Sequence, residues 1–188
     1  MTILNGIYYG TLGDDFWQLS LDTPIGYGRA GNDTLYGSDS SDDTLYGNRG
    51  DDDLFANGGN DFLVGGYGKD ALYGGDGRDE LSGGAGDDFL NGYDVGTGIE
   101  LDTLVGGTGA DTFALGAKSV FYLEEGDQFA VIVDFSRAEG DDFQVFGSIS
   151  DYSIEEYSAG VYINYQGELI AAVQNVFDLS FQLDFNFV

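Results

Sequence analysis

A single apolar residue recurs once in every nine along residues 10 to 114, and what surrounds it is glycine and polar side chains. In frames of nine the eighth position holds Trp17, Leu35, Leu45, Leu54, Leu63, Leu72, Leu81, Leu90, Leu104 and Phe113. Six glycine-rich residues followed by three with one inward apolar position predict a turn and then a very short strand. A lone strand of that length cannot bury its leucine. Stacked copies can, because each pairs with the next and the leucines form one thin continuous core. Two frames make one coil of turn, strand, opposite turn and strand. Residues 18 apart in sequence are therefore expected directly above one another, about 4.8 Å away.

The same frame orders the acids. Its sixth position is Asp15, Asp33, Asp43, Asp52, Asp61, Asp70, Asp79, Asp88, Asp102 and Asp111. One frame, "LSLDTPIGY" at 19–27, keeps only the length and has Pro24 in the sixth place. Stacking sorts the acids into two columns, one with Asp15, Asp33, Asp52, Asp70, Asp88 and Asp111, the other with Asp43, Asp61, Asp79 and Asp102. Insertions stretch the spacing to 19 or 23 at places, which predicts bulges in the turns. Carboxylates about 5 Å apart repel by roughly 0.8 kcal/mol per pair in water, and by several-fold more where partly shielded. Such columns call for a hard divalent cation. Calcium suits them, since it takes six to eight oxygens in loose geometry and accepts the carbonyls of glycine-rich turns.

Composition narrows the choice. Lys and Arg number 6 against 34 Asp and Glu, a formal charge of -28 that rejects nucleic acid and anionic membranes and attracts cations. Apolar residues make up 42% of the 188, too many for an acidic disordered tail. There is no Cys and no His, which removes disulfides, thiolate sites and the usual zinc ligand. The N-terminal stretch "MTILNGIYYGTLGDD" has no Sec-type leader pattern. No apolar run approaches the roughly 20 residues that span a bilayer. No HExxH, GxSxG or cofactor loop occurs, so the chain is expected not to be an enzyme.

The copies, for instance "GGYGKDALYGGDGRDELSGGAGDDFLN" at 65–91, resemble the GGxGxDxUx nonapeptide of the repeats-in-toxin (RTX) family. The resemblance implies an all-β fold, a right-handed parallel β-roll (β-solenoid) with Ca2+ held between turns on both edges and a C-terminal β-rich capping region. Each ion would take the sixth-position Asp of two turns 18 residues apart. Backbone carbonyls near positions one to four would complete the shell. Along one edge these belong to Gly47, Arg49, Gly65, Gly66, Tyr67, Gly68, Gly83, Gly84, Ala85, Gly86, Gly107 and Gly109; along the other, to Gly58, Gly74, Gly75, Asp76 and Gly77. Adjacent pairs within the columns allow at most about eight ions. Pro24 departs from the pattern beside Asp43, and Ala56-Asn57 replace the usual Gly-Gly.

By the same resemblance, residues 1–27 form an N-terminal cap with the first degenerate repeats, 28–115 the calcium-binding roll and 116–188 a β-rich cap. "VYINY-QGE-LIAAV" predicts a hairpin within that cap. The final "DFNFV" is similar to the ending of proteins exported by type I ABC secretion machinery, so the chain is expected to be secreted, extracellular or at the cell surface. Rival functions are the C-terminal module of a secreted hydrolase or epimerase, and a glycan-binding adhesin or matrix module. The latter would use an outward aromatic row of Tyr36, Phe55, Tyr73 and Phe89, whose plainer role is to stiffen a thin sheet. Trp17 is expected to plug the open end of the roll. Arg29, Arg49, Lys69 and Arg78 soften the carboxylate field. The acids Asp134, Asp141 and Asp142, and Glu124, Glu125 and Asp127, are candidates for a further ion.

Overall fold

The computed structural model describes residues 2–20, 24–92, 101–115 and 129–188. Strands β1 (Thr2–Leu4), β2 (Ile7–Tyr9), β3 (Phe16–Gln18), β4 (Ile25–Tyr27), β5 (Thr34–Tyr36), β6 (Thr44–Arg49) and β7 (Asp53–Gly58) open the chain. The repeats continue through β8 (Phe62–Tyr67), β9 (Ala71–Asp76), β10 (Glu80–Ala85), β11 (Phe89–Asn91), β12 (Thr103–Thr108) and β13 (Thr112–Ala114). Then follow β14 (Ala130–Ile132), β15 (Asp142–Val145), β16 (Tyr152–Tyr157), β17 (Gly160–Tyr165), β18 (Glu168–Gln174) and β19 (Phe185–Phe187).

Successive repeats alternate between two sheets. The first has the order β1-β2-β4-β6-β8-β10-β12-β14-β18-β17-β16 and the second β19-β15-β13-β11-β9-β7-β5-β3. Pairing is parallel from β2 through β14 to β18 in the first sheet and throughout the second. The protein is a parallel β-roll. Phe62 lies opposite Glu80, 18 residues on, and the insertions leave the register intact, with Thr34 opposite Asp53 and Glu80 opposite Thr103. Extra residues are absorbed in the turns because a slip by one would expose every leucine.

The strands run longer than the frame predicts. β6 to β10 and β12 have six residues, continuing through the first three positions of the next repeat, and Asn48 faces Gly66 as Leu45 faces Leu63. Backbone pairing therefore runs on into the turns, so little of the chain is left without a hydrogen-bond partner.

The core is one residue thick in each sheet. Leu45, Leu63, Leu81 and Leu104 from one side meet Leu35, Leu54, Leu72 and Leu90 from the other, all fully buried. The degenerate frame puts Gly26 in this column, and the Trp17 ring fills the space a side chain there would take. Trp17 is buried and stacks on Tyr8 at 5.3 Å, so it closes the N-terminal end of the core. At the other end the column turns aromatic through Phe113, Phe143 and Phe185, and antiparallel β16, β17 and β18 finish the first sheet. The β17–β18 hairpin turns at Gln166 and Gly167, both with positive φ, as "QGE" predicts.

Replacing Leu63 by Ala should cost about 2–5 kcal/mol, because the thin core has no second layer to relax into the cavity. Replacing Thr103, half-buried on the outer face, should stay within about 0.5 kcal/mol. Urea unfolding in saturating calcium measures both.

Candidate metal centre

Both acid columns form along the two edges of the roll, and they are built by one repeated hydrogen bond. The backbone N–H of each sixth-position Asp donates to Oδ1 of the Asp one coil on. On the first edge the chain runs Asp15 to Asp33, Asp33 to Asp52, Asp52 to Asp70 and Asp70 to Asp88, all at 2.8 Å, then Asp88 to Asp111 at 2.9 Å. On the second edge it runs Asp43 to Asp61 at 2.7 Å, Asp61 to Asp79 at 2.8 Å and Asp79 to Asp102 at 3.0 Å. Every carboxylate after the first on each edge is thus fixed by the backbone of its neighbour.

The other oxygen is the one with chemistry left to do. Oδ2 of Asp33, Asp52, Asp61, Asp70, Asp88 and Asp111 is buried and has no hydrogen-bond partner. The residues themselves are at most 3% exposed. An unsatisfied buried carboxylate oxygen is costly, so the charged form is disfavoured. Burial, reinforced by the neighbouring acids, pushes Asp61, Asp70 and Asp111 up to about 7, and Asp33, Asp52 and Asp88 up to about 6. The backbone hydrogen bond pulls each the other way without cancelling the rise, and Lys69 does the same for Asp88.

The turns aim oxygen at the same place. A Cβ on Gly47 would overlap Asp52 Oδ2 and stand 2.8 Å from the carbonyl oxygen of Gly65, one coil on. Gly65 and Gly83 repeat this, with the carbonyls of Gly83 and Gly106 each at 2.7 Å; Gly74 has only its own Asp79 carboxylate there. Glycine occupies the first position because a carboxylate fills the volume of its side chain. The fourth position needs glycine for a second reason: Gly68 has φ 128°, and a Cβ there would strike the carbonyl of Gly50. Gly66, Gly75, Gly77, Gly84, Gly86, Gly107 and Gly109 share the positive φ that turns the chain. At the third position the carbonyls of Arg49, Tyr67, Ala85 and Asp76 accept the N–H of Gly31, Gly50, Gly68 and Gly59 in the preceding coil. Gly58 lies at the end of β7 in the same position.

No three or more acidic side chains converge on one point among the described residues. Side chains alone therefore cannot make a shell, and the donor set is carboxylate oxygen plus backbone carbonyl. That combination fits calcium and suits neither zinc, which seeks nitrogen or sulfur, nor magnesium, which keeps a tight hydrated octahedron.

The columns begin and end in ways the nonapeptide frame does not reveal. Asp15 and Asp43, the first acid on each edge, have Oδ2 held by the backbone N–H and hydroxyl of Thr11 and Ser38. Pro24 stands one coil before Asp43, where every other frame supplies a donor N–H; proline has none, and Asp43 Oδ1 is buried without a partner. At the far end the first column extends past the repeats, since Asp111 N–H donates to Asp141 Oδ1 at 3.0 Å. Asp134 takes the first position of that turn and accepts the N–H groups of Gly106 and Gly107 at 2.9 and 2.8 Å. Burial also raises Asp141. The second column stops at Asp102, whose register partner is Ala130. Glu124, Glu125 and Asp127 lie outside the described residues.

A second ladder runs beside the first through the fifth position. Asp14, Asn32, Asp42, Asp51, Asn60 and Asp87 each accept, through Oδ1, the fifth-position N–H one coil on, at 2.8–3.2 Å. Its direction is opposite to that of the sixth-position ladder, so successive turns are tied from both sides. The recurrence of Asp and Asn at this position was the available signal.

On the outer faces Tyr36, Phe55 and Tyr73 stack at 4.7–4.8 Å with planes within 10° of parallel, and Tyr9, Tyr27 and Tyr46 form a second row at 4.7–5.4 Å. The inner rings turn both faces to their neighbours and offer solvent mainly their edges. Sugar stacking needs a free ring face, so this geometry favours the stiffening role.

A family model of the RTX calcium-binding nonapeptide repeat matches the chain in four copies, over residues 27–63, 38–70, 64–94 and 98–117. No curated protein matches it.

The raised carboxyls give the metal-free fold a definite pH dependence. Their folded values lie above the ordinary 3.8, so this stability is fully present below about pH 4 and is lost as pH rises through about 6 to 7. In excess chelator, circular dichroism should show more β structure at pH 5 than at pH 8, and calcium affinity should fall over the same acid range.

Proposed function

From the premise that residues 27–94 and 98–117 carry RTX calcium-binding nonapeptide repeats, we propose that this calcium-binding chain is a secreted, non-enzymatic module whose folding is coupled to Ca2+. In this reading it serves outside the cell as a structural or export-folding unit. The observation that carries the proposal is the set of six buried carboxylate oxygens without a partner, repeated at the coil spacing. The sixth-position acids named above would bind through Oδ2, and first-position carbonyls such as those of Gly65, Gly83 and Gly106 would share the load. Bound between coils, calcium supplies the positive charge that two stacked carboxylates need.

The residues then act as a gate. Without a cation, the columns oppose stacking, and the chain stays extended enough to thread an exporter. Dissociation constants of extracellular calcium modules are roughly 10⁻⁴–10⁻³ M. At ten times such a constant each site adds about 1.4 kcal/mol by linkage, and eight sites about 11, comparable to the whole stability of a domain. No helix among the described residues is long and apolar enough to cross a membrane. RTX repeats are a structural calcium-binding module, and each acid of the columns already has a place in the ladder, which supports a role without catalysis.

At pH 8 the chain should lose most of its β signal in excess chelator and regain it in millimolar calcium; equal spectra in the two conditions would falsify the gating. Asp70→Asn, which keeps the Oδ1 acceptor and removes the charge, should raise the calcium midpoint several-fold, whereas Asp87→Asn should leave it nearly unchanged.

A further inference from the structure

The two sheets end unevenly at the N-terminal end of the roll. The first sheet carries one strand more, because β1 folds back antiparallel on β2 through the Asn5-Gly6 turn, while the second sheet stops at β3. The result is a step one strand high: a projecting strand on one side and an unpaired edge on the other.

Side chains mark the step as unfinished. Ile3 pairs in register with Tyr8, which continues the inward column of Gly26 and Leu45. It therefore points toward the core layer, yet it is 52% exposed, since among the described residues no strand of the second sheet lies opposite it. Leu4, Leu12 and Phe16, all within the N-terminal end of the roll, are 59%, 74% and 76% exposed, Phe16 on the outer face of the second sheet. Four of the nine exposed large apolar side chains among the described residues thus cluster at this end. Clusters of that kind on a charged protein mark an interaction surface.

The step is complementary to itself. Rotation by 180° about an axis parallel to the strands, at the level of β1, exchanges the two sheets. It sets the projecting strand of a second copy into the vacant place beside β3. Strand direction is preserved by that rotation, and β1 runs with β3, so the new pairing is parallel like the rest of the second sheet. Ile3 of each copy then faces the other across the core, next to Trp17, while on the outer face Thr2 comes beside Phe16 and Leu4 beside Gln18. Such an isologous contact closes on itself and leaves no open edge at this end.

We propose that the calcium-loaded protein forms a two-fold dimer through its N-terminal ends, each β1 completing the second sheet of the other copy. The opposite end does not offer the same fit. There the first sheet overhangs the second by two strands, β17 and β16, with Glu155 and Glu156 exposed on the outermost. The contact joins only the cross-section of a thin roll, below the roughly 800 Å² per partner of a standard interface, so a concentration-dependent dimer is expected.

Sedimentation of the full chain in saturating calcium tests this. The weight-average mass should rise toward twice the monomer with concentration. Ile3→Asp, or independently Phe16→Asp, should raise the dimer dissociation constant at least tenfold with an unchanged circular dichroism spectrum. Leu183→Asp, at the other end, should have no effect. A monomer at all concentrations overturns the proposal, as does a dimer that survives both N-terminal substitutions or is lost with Leu183→Asp. In chelator the test of calcium-coupled folding stands apart, since it reads β content and not mass.

Discussion

Like charges held one coil apart are the constraint from which the rest of this structure follows. The roll needs its turns stacked at strand spacing, because only then do strands with a single inward leucine share a core. The sixth position of each turn is an acid, so stacking the turns stacks negative charge. Past the first acid on each edge, one oxygen of the carboxylate accepts a backbone N–H from the coil before. The other is buried and, on six residues, unpartnered. In the proposed reading, a cation on that oxygen is what would let a fold arranged in this way stand.

Glycine follows from the same constraint. The usual account, that glycine permits turns, holds at the fourth position. At the first position the reason is volume: the acid of the same repeat occupies the place of a side chain. Ala56 is the exception that the frame tolerates, fully buried in the first position of its repeat. The fifth-position ladder supplies a cation-independent tie between turns, and it lapses where Lys69 and Arg78 cannot accept a hydrogen bond through a side-chain oxygen. Those two side chains bring positive charge to the edges instead, and Lys69 is close enough to lower Asp88.

The ends solve a different problem. At the C-terminal end an arginine does what a bound cation would do inside the roll: Arg137 clamps Asp184 by two bonds and reaches Asp178. Asp184, fully buried, also receives the N–H of Ser180 at 2.5 Å, so the turn that leads into β19 is fixed to the turn that carries Asp141. At the N-terminal end Trp17 fills the gap left by Gly26, but the layer above it stays half built.

Periodicity carried most of this in the sequence. One leucine and one aspartate in every nine residues dictate parallel stacking, the thin core, both acid columns and the choice of a hard cation, because each depends only on which residues recur at the coil spacing. Tertiary structure decided what recurrence cannot express. It determined which carboxylate oxygen the backbone occupies and which it leaves, that Asp134 and Asp141 join the first column from outside the frame, and that the aromatic rows turn their ring faces to one another. It also set the unequal ends of the two sheets. Several of these depend on contacts between residues 30 to 47 apart with no shared motif, and a repeat, identical in every coil, holds no information about where the stack stops.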